Sequence, residues 1–244
     1  MSALQIKNFA KHFGGVKAVS GVNCSIEKGK ITGLIGPNGS GKSTLINLVT
    51  GIIPKDKGVL VVSDSVHVDK IRPQDMREYK ITRTFQNVRV FEQMSVIDNI
   101  MIALTHRSVW RTLFECNKKV YLDRAEDILK LIGIPEKKHE QALALSYGQR
   151  KLLEIGRAIA MDADIILFDE PYAGLFPEMI KKVSDILRGL RTEGRAIILV
   201  EHNMEIIRDL CDHIIVMDSG TVLAEGDPKT VLARRDVVEA YLGE

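Results

Sequence analysis

Residues 36–44, Gly-Pro-Asn-Gly-Ser-Gly-Lys-Ser-Thr, decide how this chain is read. They fit the pattern G-x-x-x-x-G-K-[ST], and their surroundings are the ones that pattern needs. The apolar run 30–36 (KITGLIG) reads as a buried strand, and residues 42–50 read as the helix that follows the turn. Gly36, Gly39 and Gly41 let the backbone wrap closely, with Pro37, Asn38 and Ser40 completing the loop. Successive N–H groups then point inward, and the helix N-terminus adds partial positive charge, so the turn is built to cradle phosphates. Lys42 is placed to reach the outer phosphates, and Ser43, beside Thr44, offers a hydroxyl to a magnesium ion. A turn without a ligand has no need of Lys-Ser in the first helical turn.

Two further signals lie downstream. In 165–170 (IILFDE) an apolar strand ends in two adjacent acids. Because consecutive strand residues point to opposite sides, Asp169 is expected to face a metal and Glu170 a water near the terminal phosphate. In 145–149 (LSYGQ) Ser146 is a natural N-cap for a helix over 149–161, and Gly148 and Gln149 stand at its start, a second anion-binding helix end.

Elsewhere the pattern is that of an ordinary folded protein. Residues 4–26 alternate as antiparallel strands with turns at Gly14-Gly15 and Gly21. Residues 96–160 are mostly helical in spacing, as in 121–132. Strands resume at 165–168 and 196–200, with a helix from Pro177 to about 191 between them, and 213–217 and 222–224 close the chain. The 244 residues are 45% apolar and 27% charged, which excludes disorder, and a net charge of +2 argues against a nucleic-acid surface. Cys24, Cys116 and Cys211 are scattered and odd in number, as in a reducing compartment. The N-terminal stretch lacks the long apolar run of a secretory signal, and no run is long and apolar enough to cross a membrane.

In this order and spacing the three motifs resemble the ATP-binding subunits of ABC transporters, over essentially the whole chain. The resemblance implies an α/β P-loop NTPase core, a mixed or parallel sheet flanked by helices, with an N-terminal antiparallel β subdomain and an inserted α-helical subdomain. It divides a single 1–244 domain into a RecA-like β core (1–86 and 162–244) and a helical signature subdomain (87–161). Its cofactors are ATP and Mg2+. Lys42 and its loop hold the triphosphate, Phe13 stacks on adenine, and Ser43, Gln86 and Asp169 attend the metal. Glu170, His202 and Gln86 serve hydrolysis, and Ser146, Gly148 and Gln149 complete the site of the opposite subunit in a head-to-tail dimer. Phe13 could instead be a core residue, and Gln86 a surface amide. The implied partners are a second copy or a related ATPase subunit, integral-membrane permease subunits and, indirectly, an extracytoplasmic substrate-binding protein. No nucleic acid is implied, and the expected place is cytoplasmic, peripheral on the inner face of the cell membrane.

Two positions depart from the family pattern: Tyr147 stands for a frequent glycine and Phe176 for a frequent aspartate. Tyr147, Glu201-His202-Asn203 and the ending 238–243 look most like ATPase subunits of branched-chain amino-acid importers. The alternatives are the ATPase of a lipid or lipopolysaccharide exporter and a soluble, non-transport ABC ATPase. The basic stretch 106–119, with Trp110, reads equally as a docking surface for the membrane subunit or as a solvated segment.

Overall fold

The computed structural model describes residues 1–105 and 118–242. The expectation for the basic stretch rests on 106–117 and lies outside the described residues. Two long strands come first, β1 (Ser2–Phe13) and β2 (Val16–Glu27), paired antiparallel about Gly14-Gly15. Gly21 is no turn: β2 runs through it, with Gly21 at φ 68 and Asn8 on β1 at φ 52 where the ladder slips register between Ile6 and Phe9. The Asn23 side chain accepts the Asn8 N–H at 2.9 Å, so a side-chain amide takes over a bond that the irregular ladder omits.

Then follow β3 (Ile31–Ile35), α1 (Lys42–Val49), β4 (Lys57–Val62), β5 (Val66–Val68) and β6 (Ile81–Arg83). The helices α2 (Val96–Leu104), α3 (Lys118–Ile132) and α4 (Tyr147–Ala160) come next. The chain continues through β7 (Ile165–Asp169), α5 (Pro177–Thr192), β8 (Ala196–Val200), α6 (Met204–Leu210), β9 (His213–Asp218) and β10 (Thr221–Gly226). It closes with α7 (Pro228–Leu232) and α8 (Arg235–Leu242).

The described chain forms two compact units. The first takes residues 1–83, 164–170 and the chain from Leu187 onward; the second takes 84–163 and 171–186. Residues 171–186, which the sequence reading left with the core, are part of the helical unit, and the division falls inside α5. The reason lies in local packing. A Cβ on Gly148 at the start of α4 would meet Met179 Sδ of α5 at 2.4 Å, and Tyr172 and Ser184 share a hydroxyl contact of 3.3 Å.

The first unit holds both sheets: an antiparallel one in the order β2-β1-β4-β5, and a six-stranded one in the order β10-β9-β3-β8-β7-β6. All pairs of the second are parallel except β10 with β9. Strands β3, β7 and β8 are buried at every residue, which is why they read as unbroken apolar runs. One face of them (Leu34, Ile165, Leu167, Ile198, Val200) joins the core shared with α1 and the antiparallel sheet. Helix α1 gives that core Leu45, Ile46, Leu48 and Val49, each worth about 1.5–3 kcal/mol on burial. On the opposite face a Cβ at Gly33 would come within 3.2 Å of Cys211 Sγ, Ile207 and Ile214, so glycine there lets α6 approach the sheet. Burial pushes both the Cys24 and the Cys211 thiols up to about 12, which leaves them inert packing groups. In the second unit, α2, α3 and α4 close around Gly156, whose added Cβ would meet Ile132, Ile100 and Ile128 within 3.2 Å.

Candidate nucleotide site

The phosphate loop leaves β3 at Ile35 and enters α1 at Lys42, in the first unit. Gly36, Gly39 and Gly41 all have positive φ (147°, 77° and 101°). A Cβ on Gly36 would lie 2.1 Å from the Met217 carbonyl oxygen, and one on Gly41 would lie 2.4 Å from that of Ala18. Glycine is thus demanded twice over, by conformation and by space. The loop is braced from the β9–β10 turn, where the Gly220 N–H donates to the Ser40 carbonyl at 3.0 Å. Lys42 is buried, and its Nζ donates to the carbonyls of Gly36 (2.6 Å) and Pro37 (2.8 Å) and reaches Ser40 Oγ at 3.4 Å. The cation thus closes the loop on itself. Asn38, Gly39 and Ser43 are exposed, Ser40 is buried and Thr44 is half-buried. The first turn of α1 carries no acidic side chain, so nothing there competes with an anion.

Asp169 is the last residue of β7, and its carboxylate is buried against a residue that the sequence reading passed over. Arg83, at the end of β6, donates Nη2 to Asp169 Oδ2 at 2.7 Å, with the two side chains 9% and 10% exposed. Arg83 Nη1 also donates to Asn47 Oδ1 of α1 at 2.6 Å. The same guanidinium therefore ties the helix after the phosphate loop to the acid. Glu170 is not in the strand. Its backbone bends there with a left-handed φ of 49, so the alternation of an extended strand does not continue through it. Its N–H still donates to the Val200 carbonyl at 3.0 Å, which fixes the turn to the end of β8. Two residues past β8, His202 Nε2 lies 3.2 Å from Glu170 Oε1. The structure therefore brings Glu170 and His202 together in the unit that holds the loop. The oxygens of Ser43 and Asp169 are hard donors, and among the described residues no three His, Cys, Asp or Glu side chains form a metal cage. That donor set suits Mg²⁺, which takes most of its ligands from phosphates and water.

Phe13 ends β1 and is 47% exposed, so it is not a core residue; Lys11 Nζ lies 5.5 Å above its ring. Ser146, Gly148, Gln149 and Gln86 belong to the second unit. Ser146 caps α4 in a reciprocal box: the Gln149 N–H donates to Ser146 Oγ at 3.3 Å, and the Ser146 N–H to Gln149 Oε1 at 3.0 Å. The helix begins at Tyr147, two residues earlier than expected, which puts Gly148 in its first turn. A Cβ on Gly174, at φ 72, would be 3.0 Å from the Tyr147 ring. Tyr147 is thus seated on the stretch before Phe176, which is itself well exposed. Gln86 is exposed, in the irregular stretch after β6.

The sequence matches the ABC transporter family over residues 19–173, and the chain belongs to that family, as a cassette that binds and hydrolyses ATP. It is 36% identical over 251 residues to the High-affinity branched-chain amino acid transport ATP-binding protein LivG of Escherichia coli (strain K12), across 99% of this chain and 98% of that one. It is 33% identical to the BraF protein of the same description from Pseudomonas aeruginosa, with the same coverage. Among solved structures, it is similar over the full length of both chains to a nucleotide-free ATP-binding cassette from an ABC transporter (TM-score 0.88, 34% identity). An ATP-binding cassette in its ADP conformation is similar to the same extent (TM-score 0.87, 35% identity). The expected α/β fold, with its antiparallel N-terminal sheet and helical insertion, is the one found. No helix among the described residues is long and apolar enough to cross a membrane.

Proposed function

We propose that this chain is the ATP-hydrolysing subunit of an importer of branched-chain amino acids, working as a head-to-tail pair on integral-membrane permease subunits at the inner face of the membrane. An extracytoplasmic substrate-binding protein would deliver the cargo. The description carried by its relatives supports the cargo, and the catalytic reading rests on one observation, the contact of 3.2 Å between Glu170 and His202.

The loop amides around 36–44 receive the phosphates, and Lys42 exchanges two carbonyl oxygens for phosphate oxygens. The exchange is favourable because the ammonium then faces anionic oxygens in place of neutral ones, which adds charge–charge attraction. Phe13, exposed at the end of β1, offers its ring to the base. Ser43 and Asp169 would hold Mg²⁺, which neutralises charge on the phosphates when bound, and the family resemblance gives Gln86 a part in hydrolysis. Glu170 orients the attacking water and takes its proton. His202, on Oε1 of the same carboxylate, keeps that group aimed and senses the terminal phosphate. Ser146, Gly148 and Gln149 complete the site of the other copy.

General-base help is worth roughly 10²–10⁴ in rate. In proteoliposomes carrying the permease subunits, wild-type chain is expected to drive ATP-dependent leucine uptake. Glu170→Gln should bind ATP as tightly, release phosphate at under about one hundredth of the rate and support no uptake. Full hydrolysis by that variant would remove Glu170 from its role, and hydrolysis without uptake of any branched-chain amino acid by wild type would remove the cargo.

A further inference from the structure

Residues 85–91, the stretch that contains Gln86, have little secondary structure, yet their backbone is gripped by buried side chains of the second unit. Glu154, in the middle of α4, is 6% exposed. Its Oε1 accepts the N–H of Phe85 at 3.2 Å and the N–H of Arg89 at 3.2 Å. Two amides four residues apart converge on one oxygen, so Gln86, Asn87 and Val88 are pinched into a closed loop. One helical turn on, Arg157 donates to the Arg89 carbonyl and lies 4.8 Å over the Phe91 ring. Asn99 of α2, fully buried, accepts the Phe91 N–H at 2.8 Å and donates to the Phe91 carbonyl at 3.0 Å. The Arg89 guanidinium covers the Phe85 ring at 3.9 Å and closes the pinch from outside. A buried carboxylate is expensive unless hydrogen-bonded, and its raised pKa, driven first by burial, records that penalty. An apolar residue would fill the same place without it, so packing alone does not account for an acid here.

We propose that Glu154 is a positioning residue that fastens the Gln86 loop to the helix opened by Ser146 and Gly148, so that the loop and the signature end of α4 move as one body. A nucleotide engaged at Ser146 by the opposite copy then shifts α4 and carries Gln86 with it. The inference rests on the role given to Gln86 above, and extends it from one residue to a mechanical link across about two turns of α4, from Ser146 to Glu154.

The test compares Glu154→Gln, which keeps an acceptor of the same shape, with Glu154→Leu, which removes it, and with Gln86→Ala. Hydrogen exchange of the full chain is read at the Phe85 and Arg89 amides, and ATP turnover alongside. Glu154→Leu is expected to speed exchange at those two amides roughly tenfold to hundredfold, the scale of one lost bond to a charged acceptor, and to lower kcat with the KM for ATP unchanged. Glu154→Gln should restore most of both. Unchanged exchange in the leucine variant, or equal loss of kcat in both Glu154 variants, would overturn the proposal. If the leucine variant does not fold, wild-type Phe85 and Arg89 amides exchanging at the rate of open chain would overturn it as well. An inert Gln86→Ala would instead sink the reading of Gln86, while leaving the exchange result to judge the clamp.

Discussion

Replacing Arg83 with methionine keeps most of the unbranched stem of the side chain and removes the cation that faces Asp169 at 2.7 Å. At the effective dielectric constant of about 20 that suits such sites, two unit charges at that distance attract by about 6 kcal/mol. Desolvating both ions takes several kcal/mol back, so the intact pair adds little net stability. Breaking it is another matter, because the Asp169 side chain, 10% exposed, loses the cation that compensates its burial. A loss of about 3–5 kcal/mol is expected on that account. Asn47 of α1 loses its donor as well, which adds to the loss. The assay is urea unfolding of wild type, Arg83→Met, Asp169→Asn and the double variant. The double variant should lose at least about 2 kcal/mol less than the two single losses added together, since both changes remove the same contact. A single-variant loss below about 1 kcal/mol, or strict additivity, would refute the view that this pair holds the acid in place.

Lys42→Ala removes the cation at the centre of the phosphate loop, and equilibrium nucleotide binding should weaken roughly tenfold to hundredfold; unchanged affinity would take Lys42 out of the site. Gly36→Ala puts a Cβ 2.1 Å from the Met217 carbonyl at a φ of 147°, so its melting temperature should fall, by an amount matching at least about 1–3 kcal/mol; an unchanged melting temperature would mean that the loop relaxes freely. Stability should also depend on pH through Glu154, whose carboxyl burial raises above the ordinary carboxylate range while the Phe85 and Arg89 amides, Lys151 and Arg157 pull the other way. The folded state then holds the proton more tightly than the unfolded one. The contribution is full below the ordinary value of about 4.3 and is lost as pH climbs through the raised one. The stability of wild type minus that of Glu154→Gln should therefore fall as pH rises from about 4 towards neutrality, and a flat difference would refute the sign.

What could be read from the sequence is whatever neighbours along the chain decide among themselves. The loop at 36–44 is nine consecutive residues whose glycines and lysine act together, so strand, turn and helix were visible at once. The Ser146 cap is local too, and its only surprise, a helix start two residues early, concerns a boundary. The runs in β3, β7 and β8 announced burial on both faces. By contrast, β4, β5 and β6 went unread: β5 and β6 are three residues long, and β4 opens on Lys57-Gly58, so none has room for a period to show. Gly21 looked like a turn because glycine permits one, but pairing with β1 made it an irregularity within a strand.

The sequence by itself determined that a phosphate loop exists and which acids follow a buried strand. Tertiary structure decided what those groups touch. Arg83 meets Asp169 across 86 residues, Glu154 meets Phe85 across 69, and Glu170 meets His202 across 32. Each contact depends on sheet order and helix packing, which arise from the summed burial of many apolar residues and leave no mark at the polar positions they bring together. For the same reason the left-handed turn at Glu170, held to β8 through Val200, could not be foreseen from a dipeptide of two acids.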